Sequence, residues 1–562
     1  LLGEAPAVDL AVGVERELGQ VPVGPRQHAL GQHTAEQPGE LLRLAVLARA
    51  YHAPWAEAYQ SPALVAKVVA LIDDLCARFA ADPNLVDTEP KWRSFGPAGY
   101  AVAALAVPLA PYLDQPLTIG GATMTRRAAW ADALAASVEW RRTHRRHYTN
   151  QSMISDMNLY QSNRGLAVLD PARALPEDVA RRYLHEAVGL EPWLGDWRPD
   201  GSHDRRFGDS YYQTTRRGQT RELGYVGGYG EVLDWVAKIY EASCAGGSPG
   251  DPALLDHLAA MVDARLPFRY RGVDAEGYTA MLVETFVGWR DSGPPGPVLY
   301  GQRAGWESSA LQTAALLQRG PIVAAAQAQI ADGQYYASLL GALGNGSTDA
   351  TLTLVGVPTE YAIVSALPPA DTPLPMEGPD DFVWADEQNG VVALKVGERR
   401  LYASLYWRAR FGVNNLARIH DLRPDGQRLA TVYLRTEFAD SGLRYTFPNW
   451  LDKAFVRWQT NLPGVTDRLA MAGQQIPVAL VPAGQEQPEV GVETPFVGRG
   501  LFYRLAWDDL LIGMNLTGLD NVPPQDYNLD APPGARRLPD GQPLAGPVTV
   551  APGTTVVLQL PR

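Results

Sequence analysis

A chain of 562 residues is too long for one hydrophobic core, so two or three domains are expected. Its 46% hydrophobic and 20% charged residues fit an ordinary globular protein, while a formal net charge of −13 excludes general nucleic-acid binding, which needs a basic surface. No run of eighteen apolar residues occurs, so no membrane-spanning helix is expected. Cys76 and Cys244 lack C-x-x-C or Cys/His ligand spacing, so no metal site is expected either.

In chain order, residues 1–40 are rich in Gly, Pro, Gln and Glu and read as an irregular lead-in. From Pro38 the pattern turns helical, with apolar residues at three- and four-residue spacing over 39–51 and 61–79. Pro62 after Ser61 is a good helix start. Further helices are expected at about 98–113, 124–140, 150–168, 176–190, 230–243, 251–265, 276–289 and 306–342, with no strand pattern between them. Helices in that number predict an all-helical domain over 1–345, and a ring of helical hairpins, an (α/α) toroid, suits its size. After Gly346 the pattern changes. Segments 351–357, 361–367, 390–397, 400–407, 428–436, 475–482 and 554–560 read as strands, and Asp-Gly at 425–426 and 540–541 marks turns. The Pro-rich stretch 368–381 reads as a connector, and 346–562 as an antiparallel β-sandwich.

Four groups could carry chemistry. The first, 148–166, places Asn150, Asn158 and Asn163 on one helix although Asn is a poor helix former. Amides can neutralise a carboxylate without adding a competing base, or can simply form a polar helix face; Gly165 is expected to cap the end of this helix. The second runs from Arg198 to Val232, opening with Pro-Asp-Gly-Ser and closing with G-Y-V-G-G-Y-G. Gly227, Gly228 and Gly230 crowd around Tyr229, which suits a backbone that bends sharply beside a ligand. Its bland alternative is a surface loop with stacked aromatics. The third, 268–291, sets Tyr278, Glu284 and Arg290 near a helix end, either to bind a carboxylate or to form a salt-bridged terminus. The fourth, 406–420, carries Arg408, Arg410, Asn414, Asn415, Arg418 and His420 on a sheet edge facing the helical domain, or on a solvated strand-turn-strand. The basic run Arg141–His147 reads equally as a polyanion contact or a solvated helix end.

Helices followed by a β-sandwich, with Asn, His, Tyr and Arg in place of paired acids, resemble the polysaccharide lyases, and locally the hyaluronate, chondroitin and xanthan lyase family. In that family a P-D-G-S turn is followed by a histidine and then by Y-x-G-x-Y-G, whose second tyrosine is catalytic. Here P-D-G-S is Pro199–Ser202 and Y-V-G-G-Y-G is Tyr225–Gly230, so the resemblance implies Tyr229 as catalytic tyrosine. Ser162-Asn163-Arg164 is similar to the family's A-N-R segment, and its downstream arginine pair suggests Arg290. The family's histidine lies nine residues before the tyrosine, where this chain has Thr220; the nearby histidine is His203. The family's tryptophan pair has no counterpart.

The implied reaction is β-elimination across a uronic acid. Asn163 or Asn158, with an arginine, neutralises the carboxylate so that charge spreads onto it as the C5 proton leaves. Tyr229 acts as acid and base, or as acid with His203 as base, and no metal or cofactor is needed. Asn150, Asn158, Arg221, Tyr225, Tyr212, Trp197, Arg410 and Asn415 are the expected substrate contacts. The partner is then an acidic polysaccharide rather than nucleic acid or membrane, and the protein is expected to be a secreted or periplasmic monomer. A hydrolase would need two carboxylates about 5–10 Å apart, from Asp156, Asp196, Asp200 and Glu222. A carbohydrate-binding protein would use Trp193, Trp197, Tyr211 and Tyr212.

Overall fold

The computed structural model describes residues 38–86, 95–145, 149–191, 214–220, 233–244, 249–273, 277, 279–288, 310–333, 335–336, 354–409, 412–446, 475–479, 497–520 and 522–561. The fold is mixed α and β, with several antiparallel sheets. It divides into two compact units, one drawn from 1–204, 233–258 and 301–371, the other from 205–232, 259–300 and 372–562. These units do not follow a division at 345/346: helices continue to Ala366, and the described parts of 205–300 are shared between the two.

The first unit holds α1 (Pro38–His52), α2 (Pro62–Ala81), α3 (Phe95–Ala104), α4 (Ala106–Leu113), α5 (Arg126–Thr143), α6 (Thr149–Leu169), α7 (Glu177–Val188) and α8 (Leu233–Ser243). After α9 (Pro252–Arg265), which crosses the division, α10 (Ala310–Leu317), α11 (Gly320–Ala331) and α12 (Val357–Ala366) complete it. Ser61 starts α2 as its position suggests: its Oγ accepts from the Leu64 N–H at 3.4 Å, and Pro62 fills the first turn. The core joins Val68, Ile72 and Leu75 of α2 to Phe95 and Val102 of α3, and to Trp130 and Leu134 of α5.

α6 is an interior helix. Met153, Ile154, Leu159 and Tyr160 are buried, but so are Ser152, Ser155, Asp156, Asn158, Ser162 and Asn163, so it shows no clean amphipathic stripe. Gly165 does not end it. The helix continues to Leu169, and Gly165 lies where α6 crosses α3: a Cβ there would sit 2.6 Å from Gly99 Cα. Close helix approach, not capping, is what this glycine provides.

Three other expectations are corrected. Segment 361–367, read as a strand, belongs to α12, whose buried Val357 and Val364 stand two helical turns apart and whose first turn holds Pro358 and Glu360. The single helix over 306–342 is broken between α10 and α11, where Arg319 is extended and a proline opens the next helix. The helical region also contains strands: β1 (Pro116–Ile119) and β2 (Ala122–Thr125) form a hairpin through Gly120 and Gly121, both at positive φ. Among the described residues no single helix is long and apolar enough to cross a membrane.

The second unit contains a hairpin of β3 (Arg269–Val273) and β4 (Thr279–Val283), so Thr279–Val283, expected within a helix, is a strand. A five-stranded antiparallel sheet follows from β5 (Phe382–Asp386), β6 (Val391–Val396), β7 (Arg399–Ser404), β10 (Leu416–Arg423) and β11 (Gly426–Tyr433), in the spatial order β11-β10-β7-β6-β5. The short hairpin of β8 (Trp407–Ala409) and β9 (Gly412–Asn414) interrupts it in sequence. A six-stranded sheet orders β12 (Arg435–Glu437), β15 (Phe502–Trp507), β16 (Leu510–Asn515), β21 (Thr555–Gln559), β18 (Arg536–Leu538) and β19 (Gln542–Pro543). Two further pairs are β13 (Asp440–Thr446) with β14 (Gln475–Ala479) and β17 (Tyr527–Leu529) with β20 (Val548–Val550).

Both faces of the five-stranded sheet are covered. Val392, Leu394, Leu401, Ala403 and Ile419 meet Tyr503, Leu505, Ile512 and Val557 of the six-stranded sheet in one core. On the opposite face Val391, Ala393 and Tyr402 pack with Phe268, Tyr270 and Val287. Burial on both faces explains why β6 reads Val-Val-Ala-Leu rather than alternating.

Candidate active site

In the first unit Asn158 and Asn163 of α6 are spent on the fold. Asn163 is 1% exposed; its Nδ2 donates to Leu175 O at 3.0 Å and its Oδ1 accepts from the Leu175 N–H at 2.8 Å. Asn158 donates to Ile154 O at 2.7 Å, and its Oδ1 fills the space that a Cβ on Gly96 would take. Neither amide is turned to a substrate, contrary to expectation. Asn150 lies in the first turn of α6, and its side chain is outside the described residues.

The basic run at the end of α5 is not a solvated helix end throughout. Arg142 and His144 are exposed, but Arg141 and Arg145 turn inward. Arg145 Nη2 reaches Asp156 Oδ2 at 2.9 Å and Glu186 Oε1 at 2.5 Å, and its guanidinium stands 4.7 Å from the Tyr183 ring centroid. Burial pushes the Asp156 carboxyl well above its ordinary value, against the pull of Arg145. Asp156 is thus a carboxyl shared between helices, not an open member of a hydrolytic pair.

The second unit brings together residues from three of the sequence groups. Glu284, just after β4, and His420 on β10 meet at 2.5 Å between Oε2 and Nδ1, with neither side chain exposed. Glu284 Oε1 accepts from the N–H groups of Phe286 at 2.6 Å and Val287 at 3.2 Å. Arg418, two residues before His420, donates to Gly288 O at 2.6 Å and lies 4.6 Å from the Phe286 ring centroid. Ser404 Oγ, at the end of β7, accepts from the Gly288 N–H at 3.3 Å. Burial pulls the His420 pKa down, but the hydrogen bond and charge of Glu284 outweigh it, and the net direction is up. Burial, aided by the Glu284 charge, raises both Tyr270 and Tyr402 beside it.

The third contribution is the stretch 214–220, which ends at the residue before Arg221. Thr214 and Thr220 bridge it into a small hairpin, with Gly218 at φ +93 closing against Ala260 O. The turn between β5 and β6 holds it. Thr215 Oγ1 donates to Asp386 Oδ2 at 2.6 Å, and the Arg216 N–H to Gln388 Oε1 at 2.8 Å. Asn389 Nδ2 donates to Gln219 Oε1 at 3.2 Å and Thr220 O at 3.1 Å. Thr220 is 4% exposed and serves this anchorage.

These anchors lie at one end of one sheet. Gly390 O, next to Asn389, accepts from the Leu405 N–H at 2.8 Å, and Ser404 is in register with Arg418. Adjacent strands are about 4.8 Å apart, so Asn389 and Arg418, two strands apart, are on the order of 10 Å apart across the sheet. Asn415 donates to Gly498 O at 2.6 Å and accepts from Tyr503 Oη at 2.6 Å.

Tyr229, His203, Arg290, Tyr225, Arg221, Tyr212, Trp197 and Arg410 lie outside the described residues, as do Tyr278, Trp193, Tyr211, Asp196, Asp200 and Glu222. For Arg408 and Asn414 the backbone alone is described. Asp386, Asn389 and Ser404 escaped sequence reasoning; Asp386-Glu-Gln-Asn-Gly390 carries the composition of an exposed turn, and nothing local signals its burial. Among the described residues no group of three or more His, Cys, Asp or Glu could hold a metal ion. Comparison with protein-family models finds no match, and a search of curated proteins finds none.

Proposed function

We propose that this protein is a polysaccharide lyase that cleaves a uronic-acid-containing polysaccharide by β-elimination, built as an (α/α) toroid followed by a β-sandwich. The observation that carries the reading is the convergence at one end of the five-stranded sheet. The chain that leads into Arg221–Gly230 departs from Thr220, held by Asn389 beside β6, and the chain that leads into Arg290 departs from Gly288, held by Arg418 of β10, two strands away. Two segments with no local reason to meet, one leading into the tyrosine motif and one into the arginine, thus start from anchors whose backbones are on the order of 10 Å apart. The Pro-Asp-Gly-Ser and Y-V-G-G-Y-G motifs supply the chemical assignment.

In this reading the substrate carboxylate is neutralised by Arg290 and by Asn150, since Asn158 and Asn163 are committed to the fold. The C5–H bond breaks, its electron pair forms the C4–C5 double bond, and the C4–O4 bond to the leaving sugar breaks as O4 is protonated. Tyr229 removes the C5 proton and returns one to O4, or delivers the proton to O4 while His203 is the base. No metal is assigned a role. The partner is an acidic polysaccharide met by a secreted or periplasmic monomer.

The test is absorbance near 232 nm, where the unsaturated uronate product absorbs, with hyaluronan, chondroitin, heparan, alginate, glucuronan, ulvan and xanthan. A rise with one of them is the expected outcome, and Tyr229→Phe is expected to lower kcat by at least about 10²-fold with KM little changed. New reducing ends without that absorbance would replace the lyase with a hydrolase.

A further inference from the structure

Where the chain runs from β11 into β12, side chains alternate between core and surface. Val432 and Leu434 pack against the core between the two large sheets, so Tyr433 and Arg435 face outward. β11 is an edge strand of the five-stranded sheet and β12 an edge strand of the six-stranded one, with no further described strand beside either. Leu429 is 40% exposed, Tyr433 89% and the Arg435 side chain 75%. A single exposed apolar side chain is ordinary. The charges beside this one are not.

Arg435 stands directly opposite Arg504 of β15, and like charges in such a pair repel. One carboxylate serves both. Arg504 Nη1 donates to Glu437 Oε1 at 2.6 Å, while Arg435 Nη2 is left 3.8 Å from the same oxygen, too far for a hydrogen bond. The next acid along the chain, Asp440, is already held by both Nη atoms of Arg444, at 2.8 and 2.9 Å. In a chain of net charge −13, this strand thus presents a cation whose ion-pair partner is hydrogen-bonded to another arginine. Two residues away on the same side, about 7 Å along the strand, is an open phenol ring. A uronic acid offers the complement of both: an apolar C–H face for the ring and a carboxylate for the planar guanidinium. A polyuronate repeats that pair, and exposed Leu429 and Thr431 continue the outward face along β11.

We propose that the outward face of residues 429–435 is a binding site for an acidic polysaccharide, with Tyr433 against a sugar ring and Arg435 on a carboxylate. The lyase reading supplies the class of polymer. The site takes no part in bond breaking; it holds the polymer, and so acts on KM and not on kcat.

Tyr433→Ala and Arg435→Gln change exposed side chains, so folding is not at stake. Arg173→Gln, at an exposed ion-paired arginine of the helical unit, removes the same charge elsewhere. Retardation is measured in native gels cast with hyaluronan, chondroitin, heparan, alginate, glucuronan, ulvan or xanthan. The wild type is expected to be retarded by at least one of them. Tyr433→Ala and Arg435→Gln should each weaken that binding about 3- to 5-fold, the size of one exposed contact, with Arg173→Gln unchanged. Added salt should weaken the wild type more than Arg435→Gln. On a polymer that yields 232 nm product, KM should rise by the same factor at constant kcat. Equal retardation of all four proteins overturns the site. So does a wild type that no polymer retards, even if 232 nm product forms and the lyase reading stands. Retardation that depends on Tyr433 and Arg435, without 232 nm product from any polysaccharide, sinks the lyase reading and supports the site.

Discussion

In the helical unit one guanidinium, Arg145, holds two carboxylates from two helices; in the sheet unit one carboxylate, Glu284, holds an imidazole on one side and two backbone N–H groups on the other. The first arrangement joins regular elements whose backbones are already satisfied by their own hydrogen bonds. The second fixes an irregular stretch that has no ladder of its own. The same chemistry, a buried ion pair, therefore sets stability in one place and position in the other.

The contrast can be broken most directly at Arg145. Arg145→Met leaves Asp156 and Glu186 buried with their shared cation gone, and a loss of about 3–5 kcal/mol is expected in urea unfolding. A change under about 1 kcal/mol would show that the helical knot is dispensable. The sheet unit is sharpened by pH. Hydrogen bonds from Arg399, Arg423 and Trp507 overcome the burial of Asp421 and bring its pKa down to about 2 from 3.8. A depressed carboxyl stabilises the folded state above its ordinary value and loses that contribution as pH falls through about 2, worth about 2–3 kcal/mol. His420 runs the other way. Its raised pKa stabilises fully below the ordinary 6.5, and that share is lost as pH rises through the folded value. Near-UV circular dichroism melts from pH 2 to 9 should show the sheet unit weakening at both ends. The smallest effect is at Asn163: Asn163→Ala leaves the Leu175 N–H and C=O unpaired and should cost about 1–2 kcal/mol, with KM unchanged.

Much of the helical unit was legible because its signals are local: Ser61-Pro62 starts a helix, and apolar spacing places α5, α6 and α7 to within a few residues. What failed was short. Thr279–Val283 is a brief apolar run without period, and its pairing with Arg269–Val273 decides its state. Val357–Ala366 contains β-branched residues that composition reads as a strand and packing makes a helix. At the candidate site, Glu284 and His420 were both singled out, in separate groups. Their meeting was not legible, because they stand 136 positions apart and no local pattern reports a long-range contact. The asparagines of α6 misled for a related reason: a buried amide that binds its own backbone and one that waits for a ligand look alike as letters.

The anchorage of 214–220 also bears on when the molecule can become whole. Thr215 waits for Asp386, 171 positions on, and Arg216 for the Gly553 carbonyl, 337 positions on. A chain emerging from the ribosome can pair β1 with β2 and dock α2 through α7 early, since those partners are near in sequence. The hairpin at 214–220 lacks these partners until the stretch that carries Gly553 has been synthesised. The grip on the segment that leads into the tyrosine motif thus closes only after a stretch 337 positions downstream has been made.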